Sequence, residues 1–415
     1  MPRVAAFART PFALWLAFVL VHLWLGWINL VDTVSLPLGD VTLVYRFWMD
    51  QAFQHGVIVG VDTMWVYPVV ALVPMAIAYL SGPDWYGSTW LTMVLPLNAV
   101  AFGVLTGWGR SRQRLAVGWW WVAFLLLLGP IALARIDAVT VPLAIIGMLV
   151  LATRPWLAGV LLTVAAWIKV WPAALVGAAV LALRDRLQVL AAALLTTAVV
   201  LVTALLIGSG GNVLSFISQQ TGRQLQPESP VATIWMWLAR AGVDGARVVY
   251  DRGILSYGVE GPGADVAAAL MTPLQLAAAL AVIGLALWRL RRGADAARLL
   301  PPLALAFVLV LIVFNKVGSP QFISWLAAPV ILGLVTLGRA YRVPAVLALI
   351  IAALTQVVYP YLYIELLSLQ PAMLVVLTVR NLLELVLLGW AVSAVARAGA
   401  VQPSAVEPAR ARLGA

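Results

Sequence analysis

The first stretch of the sequence that could carry out chemistry is SLPLGDVTLVYRFWMDQAF, residues 35–53, which follows an apolar run of about twenty residues. Its Asp40 would lie at the boundary between membrane and water. A carboxylate there can act as a general base if a substrate hydroxyl comes within hydrogen-bond reach. Asp is also a preferred N-cap, and Gly-Asp before VTLVYRFW would suit the start of an interfacial helix. Both interpretations of Asp40 stay open at this point.

A second carboxylate lies between two apolar runs. Asp137, in LARIDAVTVP, follows Arg135 by two positions. An ionisable group at membrane depth is by default a functional-site hypothesis. A short interhelical turn could instead use Asp137 as a cap or as the partner of Arg135. A functional role for Asp137 and a purely structural one are therefore equally supported by the sequence.

Lysine is rare in the chain, which makes its positions informative. Of 26 basic residues only two are lysines, Lys169 in AAWIKVWPAAL and Lys316 in VFNKVGSPQF. Both are embedded in apolar sequence. A compact ammonium group suits a phosphate oxygen or a carboxylate partner. Alternatively, each side chain only extends to the nearest interface.

A polar segment further along the chain has the donors and acceptors that a sugar and a phosphate would need. Arg223 and Glu228 lie in GRQLQPES, among several glutamines. Arg binds phosphate in bidentate fashion, although an ordinary solvated loop has a similar composition. Composition alone therefore favours an ordinary solvated loop, and both residues remain candidates for binding.

Aromatic residues and one histidine near the predicted interfaces complete the candidates taken directly from the residues. Tyr45 and Tyr67 fit an aromatic belt, and a few such rings can stack on sugars. His55 follows in the same external region and is a candidate for contact with substrate. The chain has two histidines and no cysteine, and it has no H-E-x-x-H, P-loop or G-x-G-x-x-G in a suitable context. We expect neither a metal nor a cofactor.

These residues must be positioned by a membrane protein. Of 415 residues 64% are hydrophobic and 10% charged, and the mean hydropathy is +1.02. Soluble domains have roughly a quarter of charged residues. Apolar runs of about 15 to 25 residues predict helices that cross the bilayer, and barrel strands would instead alternate. The expected fold class is all-α, a polytopic membrane bundle of about 12 transmembrane helices, within a range of about 10 to 12.

The net charge of +10 would suggest a nucleic acid partner in a soluble protein, but here the basic residues lie between the apolar runs. They therefore indicate how the helices are oriented in the membrane, and we expect no nucleic acid partner. The predicted apolar segments are about 12–31, 65–80, 88–107, 117–133, 138–153, 156–183, 187–208, 264–288, 299–315, 322–337, 344–361 and 372–395. From residue 184 onward, the arginine clusters all fall on one side of the membrane. The loop 209–263 then falls on the other side, which is external.

The front half of the chain allows two arrangements. Strict alternation from a cytoplasmic N-terminus would place the cluster Arg110, Arg112 and Arg114 outside. The alternative lets 65–80 re-enter the membrane and splits 156–183 into two helices near Lys169. Both arrangements contain twelve segments.

The expected organisation is a single polytopic domain over residues 1–395. External loops occupy about 32–64 and 209–263. The remaining segment, 396–415, has an Ala, Pro and Arg composition that predicts a disordered cytoplasmic tail. Within the first loop, the spacing of apolar residues from Val41 to Trp48 predicts a short interfacial helix.

Several stretches, in order, resemble one enzyme family. They are GDVTLVYRFWMDQAFQHG, WVYPVVALVPM, ARIDAVTVPLAI, LAGVLLTVAAWIKVWPAAL, GRQLQPES and NKVGSPQFISW. Together, over about residues 12–340, they resemble actinobacterial polyprenol-phosphate-mannose-dependent glycosyltransferases, glycosyltransferase family 87 of the GT-C superfamily.

The resemblance implies a polyprenyl phosphate sugar donor, mannose or a related pentose, and transfer to an acceptor hydroxyl outside the cytoplasm. It makes Asp40 the general base for an inverting displacement. Lys169, Arg223 and Lys316 would hold the phosphate. Glu228 and Gln321 belong to the same motifs as donor-binding candidates.

The chain departs from the family pattern in three places. Tyr-Pro-Val stands at 67–69, and Phe322 stands where the family has tyrosine. Asp40 precedes Tyr45 by one residue more than the pattern has. Asp62 is therefore the second candidate for the base.

The resemblance favours a multi-pass enzyme of the cell membrane with an external site and cytoplasmic termini. Its partners would be the lipid-linked donor, a glycolipid or glycan acceptor, and membrane lipids. The alternative is a lipid or solute transporter, in which Asp137, Lys169 and the pair Arg380 and Glu384 would form an internal path. A scaffold of the envelope has no positive feature in the sequence.

Overall fold

The structure is a computed structural model that describes residues 10–111, 114–183, 185–219, 223–253 and 256–399. Residues 400–415 of the predicted cytoplasmic tail lie outside the described part. The protein is 75% helical, and eight helical segments of the described chain are long and apolar enough to cross a membrane. The prediction of an all-α polytopic membrane protein is confirmed. The number of twelve crossings stays a prediction.

The α-helices follow one another through the whole described chain. Their bounds are α1 (Pro11–Val31), α2 (Arg46–His55), α3 (Leu72–Tyr79), α4 (Tyr86–Thr106), α5 (Leu115–Leu128), α6 (Asp137–Val150), α7 (Pro155–Ile168), α8 (Ala173–Ala182), α9 (Arg186–Leu206), α10 (Ser215–Ser218), α11 (Thr233–Arg240), α12 (Ala264–Arg291), α13 (Ala296–Val313), α14 (Ala327–Leu337), α15 (Arg342–Gln356), α16 (Tyr363–Leu367) and α17 (Pro371–Arg397).

Two features of the front half agree with the second predicted arrangement. The segment 156–183 is split, because Lys169 after α7 has an extended backbone and Pro172 directly precedes α8. The apolar helix Val69–Tyr79 is short. At 1.5 Å per residue it spans only about 16 Å, roughly half of a hydrocarbon core.

One end of the bundle holds both ends of the described chain and is called the terminal end. Trp108, after α4, stacks on Trp15 near the start of α1. Arg289, in the last turn of α12, donates to the carbonyl of Ala398. Helices that start at this end therefore run toward the opposite end of the bundle.

The opposite end, called the loop end, collects the two predicted external loops. Ser209 Oγ donates to the carbonyl of Gly60 at 2.6 Å, which joins these loops to each other. The amide of Gln226 donates to the carbonyl of Lys316 at 2.9 Å, which adds the turn after α13. All sequence motifs with ionisable candidates lie at or near this end.

The second loop also contains structure that the sequence did not predict. After α11, strands β1 (Arg247–Asp251) and β2 (Ser256–Glu260) form an antiparallel hairpin. The register places Arg247 opposite Glu260, and their side chains form an ion pair of 2.8 Å. Five-residue strands in a polar loop have too little apolar periodicity to be recognised in sequence.

Small residues let the central helices approach closely. A side-chain carbon at Gly147 of α6 would lie 2.8 Å from Leu162 of α7. One at Gly159 of α7 would lie 2.8 Å from Ala192 of α9. Close backbone approach at small residues is the usual way in which helices pack in membranes. Through α7, this packing fixes the position of Lys169.

Candidate active site

Asp40 forms an ion pair with a buried arginine. It is the first residue of a π-helical turn, Asp40–Tyr45, that continues into α2. Its Oδ2 lies 2.9 Å from Nε of Arg135, and the side chains are 39% and 6% exposed, respectively. The helix start has no side-chain cap. The interpretation of Asp40 as a cap is therefore not supported, and its carboxylate remains accessible from solvent.

Arg135 connects three segments that are distant in sequence. Its guanidinium donates to the carbonyl of Pro37 at 2.6 Å, to that of Ala134 at 2.7 Å, and to Tyr359 Oη at 2.9 Å. The first loop, the turn before α6 and the turn after α15 thus meet at one side chain. Sequence reasoning considered Arg135 only as a partner of Asp137, although an arginine inside an apolar run was itself a signal.

Asp137 has a different partner from the one that proximity in sequence suggested. It starts α6, and its Oδ2 lies 2.9 Å from Nζ of Lys169. Its Oδ1 accepts a hydrogen bond of 2.6 Å from the indole of Trp325. The alternative in which Asp137 pairs with Arg135 is wrong, because Arg135 turns toward Asp40. The side chains of Lys169 and Asp137 are only 13% and 2% exposed, so this is a buried ion pair.

Aromatic rings connect the two ion pairs. The hydroxyls of Tyr45 and Tyr67 are 3.5 Å apart, and Tyr45 accepts a hydrogen bond of 3.3 Å from the amide of Ile136. The Lys169 ammonium lies 5.5 Å from the centre of the Tyr67 ring and 5.3 Å from that of Phe322. Cation–π contacts of this kind help to hold a buried ammonium. The two ion pairs therefore belong to one cluster.

Burial raises the pKa of the Tyr45 hydroxyl well above its ordinary value. The neighbouring Tyr67 and Asp40 act in the same direction, whereas Arg135 lowers this pKa. Tyr45 therefore stays protonated. Its hydroxyl can donate a hydrogen bond next to the Asp40 carboxylate.

Two cationic residues come together where the turn after α13 meets the second loop. Gly318 N donates to Gln226 Oε1 at 3.2 Å, and a side chain at Gly318 would collide with the backbone of Ser229. Burial, and then the nearby charge of Arg223, lower the pKa of the Lys316 ammonium. The motifs GRQLQPES and NKVGSPQF are thus brought together as a pair of positive charges.

Arg223 also has unused hydrogen-bonding capacity. Its Nε is buried and has no hydrogen-bond partner among the residues that the structure describes. A guanidinium N–H that is removed from water in this way favours an anionic acceptor.

Glu228 is buried behind these charges and faces α17. Its backbone carbonyl accepts a hydrogen bond from Arg380. Arg380 is in turn paired with Glu384 at 3.5 Å, and both side chains are at most 2% exposed. Arg380 and Glu384, which are four positions apart on α17, thus form a buried ion pair. The composition of the loop suggested that Glu228 would be solvated. The structure instead places it among the buried residues.

Burial raises the pKa of the Glu228 carboxyl to about 7. The charges of Arg380 and Arg135 and a hydrogen bond with Tyr363 act in the opposite direction, but they are smaller effects. Arg135 therefore acts electrostatically on both Asp40 and Glu228. The buried carboxyl therefore holds its proton to a higher pH than an exposed glutamate does.

No side-chain hydrogen bond or ion pair found in the described chain joins the other three candidates to the cluster. His55 is exposed at the end of α2. Asp62 accepts a hydrogen bond of 2.7 Å from the amide of Ile58 in its own turn. Gln321 is buried, and its backbone carbonyl accepts a bond of 2.7 Å from Ser324.

Among the described residues, no group of three or more His, Asp or Glu side chains is arranged to hold a metal ion. The chemistry that the cluster can offer consists of one accessible carboxylate, several cationic donors and aromatic surfaces. These groups can remove a proton and stabilise an anion.

Comparison with known protein families gives one match. Residues 65–250 match the model of glycosyltransferase family 87. No curated protein and no solved structure matches the chain significantly. The matched region contains Tyr67, Arg135, Asp137, Lys169 and Arg223. Over these residues the match confirms the resemblance to family 87 seen in the sequence, and it supports a GT-C-type glycosyltransferase.

Proposed function

We propose that the enzyme transfers a sugar, most simply mannose, from a polyprenyl phosphate donor to an acceptor hydroxyl at the loop end. The observation that carries this proposal is the Asp40 carboxylate. It is 39% exposed, it is held by the buried Arg135, and it lies in the same cluster as Lys169. A base of this kind needs access to substrate and a fixed orientation, and Asp40 has both.

In the proposed reaction, Asp40 accepts the proton of the acceptor hydroxyl while the acceptor oxygen attacks C1 of the sugar. The bond between C1 and the phosphate oxygen breaks on the opposite face, so the configuration at C1 is inverted. A single carboxylate is sufficient for this displacement, whereas retention would require a second one as nucleophile.

The leaving group would be a lipid monophosphate. Arg223 and Lys316 supply two neighbouring positive charges. The buried Nε–H of Arg223 can donate a hydrogen bond to the phosphate. Lys169 uses its ammonium for Asp137 and retains two further N–H groups. Fixed cations at the developing negative charge lower the barrier directly. Glu228 and Gln321 would support this region from within the protein.

The distribution of arginine supports an external loop end. Helix order places Arg154, Arg186, Arg291 and Arg339 at the terminal end, and positive residues are retained on the cytoplasmic side. Exposed Leu43, in the turn that starts with Asp40, offers an apolar surface where the isoprenoid tail can remain in lipid. The enzyme would therefore act at the outer face of the cell membrane.

The test is transfer of labelled mannose from polyprenyl phosphate to a membrane extract by purified protein with EDTA present. Wild type should form product, whereas Asp40→Asn should reduce the rate by at least about 100-fold with an unchanged yield of folded protein. Asp62→Asn is the matched control and should keep wild-type activity. Normal turnover by Asp40→Asn would refute the base assignment, and loss only in Asp62→Asn would transfer it to Asp62.

If neither protein moves the label although both bind the donor, mannose or the chosen acceptor is wrong. Polyprenyl phosphate arabinose is then the next donor to test. Failure to bind any polyprenyl phosphate sugar would refute the donor class itself.

A further inference from the structure

A groove at the terminal end lies between α8, α9 and α12, at the opposite end of the bundle from the candidate active site. Its volume is about 480 Å³. The lining is mostly apolar, with Leu187, Leu190, Leu287 and Leu290 as principal residues, and it includes Arg186 and Arg291. The groove is thus an apolar surface with two guanidinium groups.

The two arginines come from different helices. Arg186 is the first residue of α9, and Arg291 is the last residue of α12. Both side chains are exposed. No ion pair of either arginine occurs within the described ranges. Their charges are therefore available to an external anion that lies in the groove.

The position of the groove indicates what surrounds it. Of the eight candidate spans, those of α9 and α12 are the least buried in the protein, at 17% and 11%. These helices therefore present most of their surface to lipid. The arginines lie at the very ends of the two spans, at the level where lipid phosphates meet the hydrocarbon core.

The start of α9 adds a further attraction for an anion. Its N-cap residue, Asp185, makes no capping hydrogen bond with its side chain. The first amides of a helix and its dipole favour negative charge at this end. Arg186 and the helix start thus act in the same direction, and the exposed carboxylate of Asp185 opposes them in part.

We propose that this groove holds an anionic phospholipid of the leaflet at the terminal end. The headgroup phosphate lies between Arg186 and Arg291, and an acyl chain lies along the four leucines. A zwitterionic lipid would bring its ammonium group close to two cations, which costs electrostatic energy. The bound lipid joins α9 to α12. This inference does not depend on the sugar that the enzyme transfers.

The experiment is native mass spectrometry of the purified full-length protein with phosphatidylglycerol or phosphatidylcholine. Wild type should retain phosphatidylglycerol in preference to phosphatidylcholine. Arg186→Gln/Arg291→Gln should weaken phosphatidylglycerol binding about 30-fold, since each basic residue near the headgroup contributes about a factor of five. The matched control is Arg154→Gln/Arg339→Gln, which removes two arginines at the same end outside the groove and should bind like wild type.

A second variant separates the groove from general surface charge. Leu190→Trp keeps both arginines but fills the apolar part, and it should lose phosphatidylglycerol to a similar extent. Thermal unfolding in detergent should show stabilisation by this lipid for wild type and for the control only. Equal retention by wild type and the double arginine variant would overturn the proposal. So would equal binding of phosphatidylcholine, or displacement of the lipid by millimolar inorganic phosphate, which would indicate a simple anion site.

Discussion

The carboxylate of Asp40 lies 2.9 Å from the guanidinium of Arg135, and only the carboxylate is substantially exposed. The arginine is fixed by three other hydrogen bonds from buried surroundings. The ion pair with Arg135 therefore fixes Oδ2 of Asp40 on the buried side, and Oδ1 can face a substrate. This arrangement makes Arg135 a positioning residue for the proposed base.

Replacement of Arg135 should separate positioning from binding. We expect Arg135→Gln to lower kcat by about 10- to 100-fold and to leave the KM for the donor nearly unchanged, because Asp40 loses its orientation. Single-turnover transfer and donor binding measure the two quantities. Tyr359→Phe removes only one contact of the guanidinium and should have a smaller effect. An unchanged kcat in Arg135→Gln would mean that Asp40 needs no support from this side chain.

The buried pair of Asp137 and Lys169 should behave as a coupled unit in stability. Asp137→Asn leaves an ammonium that is only 13% exposed without its counter-charge. We expect this variant to lose about 3 to 5 kcal/mol. The double variant Asp137→Asn/Lys169→Met should be less destabilised than the sum of the single variants. Thermal unfolding of the wild type, the two single variants and the double variant in detergent gives a double-mutant cycle. Strictly additive losses of stability would show that the two groups do not interact.

Donor recognition should depend on the cations at the junction of the second loop and the turn after α13. Arg223→Gln and Lys316→Gln should each reduce kcat/KM for the donor by about 100-fold, since a charge-assisted hydrogen bond to phosphate contributes roughly 2 to 3 kcal/mol. The matched control is Arg247→Gln, whose ion pair lies on the hairpin. A comparable loss in this control would indicate a general effect of loop charge.

The buried Glu228 should make stability depend on pH. The pKa of its carboxyl is raised from 4.5 to about 7, so the folded state holds the proton more tightly than the unfolded chain. The corresponding stabilisation is fully present below pH 4.5 and is lost as pH rises through about 7. The total change is at most about 3 kcal/mol.

Glu228→Gln removes this titration. Its stability relative to wild type should therefore increase between about pH 5 and pH 8. Unfolding temperatures in detergent across this range provide the measurement, with Glu260→Gln on the exposed hairpin as the control. Parallel pH curves for wild type and Glu228→Gln would contradict the raised pKa.

Much of the architecture followed from hydrophobicity alone. Long apolar runs predicted helices, and the break between α7 and α8 belonged to one of the two arrangements that the sequence left open. The spacing of apolar residues after Asp40 correctly predicted a helix, which the structure extends to His55. These features depend on neighbours a few positions away, and such local patterns can be read directly.

The β-hairpin and the shared position of the motifs at the loop end depend on longer distances. The sequence indicated that ionisable residues follow the ends of apolar runs, which places them near a membrane interface. The resemblance of the ordered motifs to family 87 then suggested that they belong to one site. Neither observation gives the contacts between them.

Partner choice was decided by tertiary structure. Asp137 follows Arg135 by two residues, yet it pairs with Lys169, and Arg135 pairs with Asp40. Tyr359 lies 224 residues after Arg135 in the sequence, yet its hydroxyl accepts a hydrogen bond from that guanidinium. A buried charge must find its counter-charge among groups that the packing of the helices brings into reach. Composition and spacing determined that these charges exist near an interface, and only the packed bundle determined which of them meet.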